Sequence, residues 1–368
     1  MNIVERGVRR MRPALLAVLL VGPALPTCAV AGVAEEASGL VELRRLQTGH
    51  LLVDSTLGGR PARLLVDTGA EGTVIASEAR RDFSVDAQVL ERIRGAGIGG
   101  PLELTRHPSP GLAIGEAPVD LPGLHAADIA EVLAGLGRVA REPVHGILGQ
   151  DALLARSALL DVGSARLSLR EGPGVVDPEL SARLAAMGYV PIPLTRIDNG
   201  FHVLTVHVDE QPLRLVIDSG ARLSVLHAAR AAELGGVQRS GPLGDSVGGA
   251  GGEGRAALAR MPLRSWRLEA LALEQITAGV IDLSAVRAYV SERGGAEIDG
   301  VLGLDVLRPH RAIVDLGADV LYLAPVAERS VAGRGARPAS GGAWLEAFLG
   351  QAPSSRAPLG PFVSTPLL

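Results

Sequence analysis

Two short segments of the chain carry the same reactive pattern. Asp67 sits in Leu64-Leu65-Val66-Asp67-Thr68-Gly69-Ala70, and Asp218 sits in Leu215-Val216-Ile217-Asp218-Ser219-Gly220-Ala221. In each, an apolar run leads to Asp, then to a small hydroxyl residue, then to Gly. The apolar run buries the start of the segment as a strand, and Gly permits a tight turn. The carboxyl group is thereby held at a loop tip, partly out of water. One such Asp is commonly a turn residue. Two brought together are a different object. Carboxylates about 3 Å apart cannot both ionise, so they share a proton and titrate as a pair. The ionised member can take a proton from a water between them, and the neutral member can hydrogen-bond a carbonyl under attack. That chemistry hydrolyses an amide with no covalent intermediate and needs no Ser, Cys or metal. The hydroxyls of Thr68 and Ser219 are placed to lock the two loops together.

The elements around each Asp repeat as well. Thr73-Val74-Ile75 corresponds to Ser224-Val225-Leu226, and each is followed by a short helical pattern, at 77–82 and 227–234. A Gly-rich patch comes next, Gly95-Ala96-Gly97-Ile98-Gly99-Gly100 in one half and Gly248-Gly249-Ala250-Gly251-Gly252-Glu253-Gly254 in the other. Amphipathic helical stretches follow at 126–140 and 283–293. Each half then closes on a matching signature, Gly146-Ile147-Leu148-Gly149-Gln150-Asp151 and Gly300-Val301-Leu302-Gly303-Leu304-Asp305. Gly146 lies 79 positions after Asp67, and Gly300 lies 82 after Asp218. Strand pairs with Asp-x-Gly turns end both halves, at 158–169 and 312–323. This self-similarity predicts two lobes, 38–172 and 190–325, joined by a linker helix within 173–189 that spans 177–187. Asp151 and Asp305 read as helix-capping or turn residues, and Asp161 and Asp315 as strand-turn residues.

The pattern resembles the aspartic peptidases, particularly the retropepsin-like bacterial proteins whose half-site reads apolar-apolar-Asp-Thr/Ser-Gly-Ala. The resemblance spans about residues 40–325. It implies a mainly β, bilobal aspartic-peptidase-like (acid protease) fold, with two homologous β-barrel-like lobes and short helices. It implies that Asp67 and Asp218 are the catalytic pair, with Thr68, Gly69, Ser219 and Gly220 shaping their loops. It makes Gly97, Ile98, Gly99 and Gly100, with Gly249, Gly251 and Gly252, flap residues over an extended peptide or protein substrate. Ile147-Leu148-Gly149 and Val301-Leu302-Gly303 are then the elements packed beneath the Asp loops. Two lobes in one chain imply a self-contained pseudo-dimer, hence a monomer, with neither cofactor nor metal. Pepsin-like enzymes carry a Tyr in the first flap, and residues 93–104 contain no aromatic. That departure favours the retropepsin-like branch. The alternative reading is a peptide-binding protein of the same fold without turnover.

Composition narrows the field further. The 368 residues are 47% hydrophobic and 2% aromatic, with net charge −4, pI about 6.1 and a single Cys. Nine Phe, Tyr and Trp residues give no stacking platform for nucleic acid, and the charge gives no basic footprint. All 36 basic residues are Arg, which excludes Lys nucleophiles and a P-loop Lys. Both Gly patches contain G-x-G-x-x-G, but the strand-like Pro101-Leu102-Glu103-Leu104 follows the first where a dinucleotide site needs a helix. His202 and His207 fall on opposite faces of a strand and fit no metal pattern. At the N-terminus, four Arg residues precede a short apolar run and then Ala29-Val30-Ala31. This predicts a signal peptide over 1–31 and a periplasmic or secreted protein, with lipid anchoring at Cys28 the lesser reading. Residues 326–368 are rich in Pro, Gly, Ser and Ala and read as a disordered tail.

Overall fold

The computed structural model describes residues 39–326, apart from 173, 199, 236–238, 241–245, 253–254, 270 and 293–296. The proposed signal peptide, Cys28 and the tail beyond 326 lie outside the described residues.

Each lobe is built around the same crossing of strands. In the first, Leu51–Leu57 turns at Gly58-Gly59 and pairs antiparallel with Arg60–Val66. The latter strand alternates and then buries its last three residues, as an apolar run entering a core must. Gly146–Leu148 lies parallel to it and antiparallel to Val74–Ala76, and Val74–Ala76 is in turn parallel to Leu124–Ala127. The second lobe repeats this. Gln211–Ile217 pairs with His202–Val208, Gly300–Leu302 lies between Gln211–Ile217 and Val225–His227, and Val225–His227 runs parallel to Leu271–Ile281. The cores are mainly Leu, Val, Ile and Ala, joined by Phe83 in the first lobe and by Met261 and the fully buried Trp266 in the second.

The lobes meet in a single six-stranded sheet. Its order is Leu40–Glu42, Arg166–Ser168, Leu159–Asp161, Ile313–Asp315, Val320–Leu323, Val190–Pro193, three strands from each lobe. The central pairing joins the lobes directly, Leu160 opposite Val314. Arg170 reinforces the junction with a two-pronged ion pair to the buried carboxylate of Asp315, one bond measuring 3.0 Å. The linker helix runs Pro178–Ala186 with Asp177 as its N-cap, accepting from the Glu179 and Leu180 amides. Pro at the first helical position completes that start signal.

Two helical expectations shift. The stretch 126–140 opens as strand Leu124–Ala127 and becomes helix only at Ala130–Ala140. Ala126 and Ala127 are good helix formers, but their small side chains are buried in the sheet, and packing overrides propensity. The stretch 77–82 is a single 3-10 turn, Ser77–Arg81. The repeat also breaks after the flaps. The second lobe runs a long hairpin, Ala259–Leu268 with Leu271–Ile281, whereas Pro108 and Pro110 interrupt the matching region of the first lobe.

Candidate active site

The strands Arg60–Val66 and Gln211–Ile217 end pointing at one another, and each delivers its Asp to the junction of the lobes. Each Asp loop is tied down from beneath. The Asp67 amide donates to the Leu148 carbonyl at 3.1 Å, and the Asp218 amide donates to the Leu302 carbonyl at 3.0 Å. The apolar-apolar-Gly elements therefore lie where the resemblance implied.

The two loops are cross-linked by four reciprocal hydrogen bonds. The Thr68 amide donates to Ser219 Oγ at 3.1 Å, and the Ser219 amide donates to Thr68 Oγ1 at 3.0 Å. The hydroxyls pass their protons onward, Thr68 to the Ile217 carbonyl at 2.9 Å and Ser219 to the Val66 carbonyl at 2.8 Å. Both side chains are fully buried, so every polar atom in the clasp needs the partner it has. This clasp brings the Asp67 and Asp218 side chains within hydrogen-bond reach of each other. Gly69 and Gly220 are required by that approach. A Cβ on Gly69 would sit 2.4 Å from Asp218 Cγ, and one on Gly220 would sit 2.4 Å from Asp67 Cγ.

The Asp67 and Asp218 carboxyls are both held above the ordinary carboxylate range. For Asp67 the causes are burial, then the charge of Asp218 and the hydrogen bond with it. For Asp218 burial raises the value, while the bond from Asp67 and the Gly220 and Ala221 amides oppose it. Gly69 N–H donates to Asp67 Oδ1 at 2.8 Å, and Gly220 and Ala221 N–H donate to Asp218 Oδ1 at 2.7 and 2.9 Å. Two half-buried carboxyls, each lying against the other loop's glycine and each raised, are placed to share one proton.

Above the pair lies a cavity of about 960 Å³ lined by both lobes. Its roof is two hairpins. Glu91–Gly97 pairs with Gly100–His107, and Ser246–Gly248 pairs with Arg255–Ala257. The hairpin tips bind each other through the main chain. Gly99 N–H donates to the Ala250 carbonyl at 2.9 Å, and Gly252 N–H donates to the Pro101 carbonyl at 2.8 Å. Gly251 and Gly252 take the left-handed region, with φ of 89° and 53°. Gly97, Ile98 and Gly249 face the cavity, whereas Gly99, Gly100, Gly251 and Gly252 make the tip-to-tip contact.

Several site residues escape motif reading. His50 and Phe201 line the cavity from equivalent positions, 17 residues before Asp67 and Asp218. Aligning the repeats at their Asp residues would have exposed both. Tyr289, on helix Ser284–Glu292, also lines the cavity and donates its hydroxyl to Glu71 Oε2. No sequence signal marks it. Asp151 does more than turn the chain. It accepts from the Thr73 hydroxyl at 2.7 Å, and Thr73 Oγ1 accepts the Gly149 amide at 3.2 Å. Asp305, Ser224 and Gly303 repeat the arrangement at 2.7 and 3.0 Å. Asp161 and Asp315 cap turns by accepting the Ser164 and Ala318 amides.

Two joined carboxyls on clasped loops, under a roofed cavity between β lobes, define a site of the acid-protease class. Residues 53–152 and again 204–306 match the sequence profile of a family described as Aspartyl protease, together more than half of the chain. The chain belongs to that family, with its unit present twice. A search of curated proteins finds no match. Among solved structures the chain is similar to an aspartic proteinase from Irpex lacteus, at 13% identity and TM-score 0.42, over 80% of this chain and 99% of that one. A retropepsin-like aspartic protease from Rickettsia conorii matches at 19% identity and TM-score 0.26, over 37% of this chain and 90% of that one. EIAV protease complexed with the inhibitor HBY-793 matches at 21% identity and TM-score 0.21, over 28% and 83%. The family assignment rests on the doubled sequence match.

Proposed function

We propose that the protein is an aspartic endopeptidase, in which Asp67 and Asp218 hydrolyse a peptide bond with a water held between them. The observation that carries this reading is the pair of half-buried carboxyls brought together by the clasped loops at the floor of the roofed cavity. The ionised carboxylate takes a proton from the water as its oxygen bonds to the carbonyl carbon. The neutral partner gives its proton to the carbonyl oxygen, forming a neutral tetrahedral diol. The first carboxyl then protonates the amide nitrogen, the C–N bond breaks, and the diol returns a proton to the partner. Thr68, Gly69, Ser219 and Gly220 hold the geometry. The hairpins fold over an extended peptide, whose backbone they can pair with as an added strand.

The test is cleavage of a peptide library by the purified protein and by Asp67→Asn and Asp218→Asn. Loss of cleavage in both variants supports the reading, and equal activity in either overturns it. Binding of a statine-type peptide without cleavage from pH 3 to 8 would instead identify a peptide-binding protein. The Arg-led apolar start of the chain supports export to the periplasm or medium. Fractionation of cells producing the full chain tests it, and retention in the cytosol overturns it.

A further inference from the structure

The two halves of the site differ one layer behind the carboxyls. Aligning the repeats sets His50 against Phe201 and Gln150 against Leu304. His50 Nε2 lies 3.0 Å from the Gly220 carbonyl oxygen. A carbonyl only accepts, so Nε2 carries a proton. The Thr48 hydroxyl, 2.7 Å from Nδ1, donates to that nitrogen in the neutral ring and fixes the tautomer. The Gly220 carbonyl shares its peptide group with the Ala221 N–H, and that N–H donates to Asp218 Oδ1 at 2.9 Å. A hydrogen bond to the carbonyl of a peptide group strengthens its N–H as a donor. His50 thus bears on Asp218 through one peptide group. Phe201 has no side-chain donor to offer the Gly69 carbonyl.

Gln150 pulls the other way. Its Nε2 donates to the Thr68 carbonyl at 2.8 Å, and the Gly69 N–H of that peptide donates to Asp67. The second proton of the same Nε2 faces His202 Nδ1 at 3.2 Å, so the bond to the Thr68 carbonyl is whole. Asp218 meanwhile accepts two amides on one oxygen. What separates the two sides is the Ala221 amide, a second close donor to Asp218 Oδ1 and the very group that His50 polarises, and it favours negative charge on Asp218.

The charged groups around His50 are Arg222 on the facing loop, Arg308 packed against Gly49, and Asp218 behind Gly220. Burial and Arg222 lower the His50 pKa, which keeps the ring neutral. The donor at Nε2 is present in either protonation state, so His50 acts as a fixed device and not as a switch.

We propose that His50 is a positioning residue that makes Asp218 the ionised, water-activating carboxylate and leaves the shared proton on Asp67. The proposal rests on the hydrolytic reading above, but its test does not need turnover. The full chain is labelled with carboxyl-13C aspartate and titrated by NMR, with Asp67→Asn used to assign the pair. In the wild type, Asp218 is expected to ionise first. In His50→Phe, the lower pKa of the pair should rise by about 0.5–1 unit. The acid limb of kcat/KM should move with it, with KM changing less than about twofold. In His50→Gln, whose amide can donate to the Gly220 carbonyl, both should return toward wild type. Gln150→Leu should leave the lower pKa in place. An unshifted pKa in His50→Phe, or a larger shift in Gln150→Leu, overturns the proposal. So does Asp67 ionising first in the wild type, a result that stands even if His50→Phe does not fold. A wild type that cleaves no peptide defeats the hydrolytic reading alone, and the titration still decides the role of His50.

Discussion

Thr68 and Ser219 each give an amide to the other's hydroxyl, at 3.1 and 3.0 Å, and so bind the two Asp loops to each other. Both residues are wholly buried, so neither hydroxyl has water to fall back on. Thr68→Val keeps the shape and removes the acceptor for the Ser219 amide. It should cost about 1–3 kcal/mol of stability, the desolvation penalty of an orphaned buried donor. Guanidinium unfolding measures this. Peptide cleavage should fall with it, because the carboxyl pair loses its register.

Gly69→Ala tests the approach of the loops. The new methyl group would meet Asp218 Cγ at 2.4 Å, and backbone and carboxylate must separate to admit it. Cleavage should fall by on the order of a hundredfold, since a displacement of that size at the reacting centre has that effect. Activity within about threefold of wild type would show that the carboxyls need not touch.

The raised pKa of Asp67 predicts a pH dependence of stability. The fold favours its neutral form. The resulting stability is fully present below the unfolded Asp value of about 3.9 and is lost as pH rises through the folded value. Asp67→Asn removes this dependence. The variant should therefore gain thermal stability over wild type at pH 7 and show little gain at pH 3. Calorimetry at both values reads the difference, and a larger gain at pH 3 would reverse the sign.

Gly251 stands at φ 89°, where a Cβ would also lie 2.1 Å from the Gly100 carbonyl oxygen. Gly251→Ala should loosen the contact between hairpin tips while sparing the carboxyl pair. KM for a long peptide should rise more than kcat falls, as for a loss of uniform binding. Steady-state kinetics separates the two.

Arg170 and Asp315 join the lobes, and Asp315 is 1% exposed. Asp315→Ala leaves the guanidinium without its buried partner and should cost about 3 kcal/mol. The midpoint of chemical unfolding measures it, and the double variant Arg170→Met with Asp315→Leu should recover part of the loss.

The doubled Asp-hydroxyl-Gly segment carried most of what was legible in the sequence. Its repetition located the lobes, and the chemistry of two carboxyls required that they meet. The hydroxyl residues announced the clasp because a buried Thr or Ser beside a turn needs a partner. What the sequence hid has particular causes. Ala126 and Ala127 favour helix locally, but the neighbouring strand Val74–Ala76 claims them. Tyr289 reaches the cavity from a helix far along the chain, and no local pattern encodes that distance. His50 has an ordinary surrounding sequence, and its place becomes visible only when set against Phe201. Asp151 and Asp305 sit where helix caps belong, yet their partners Thr73 and Ser224 lie about 80 positions earlier.

The six-stranded sheet has a consequence for how the chain comes to be folded. Its two middle strands, Leu159–Asp161 and Ile313–Asp315, belong to different lobes and are each other's neighbours. A lobe produced alone would expose that strand as a bare edge, a template for pairing with any free strand. Two copies of one half could satisfy each other there. The pairing joins residues about 150 positions apart, and such distant contacts are intrinsically slow to form. In the folded chain the second lobe covers that edge, because Ile313–Asp315 pairs along it.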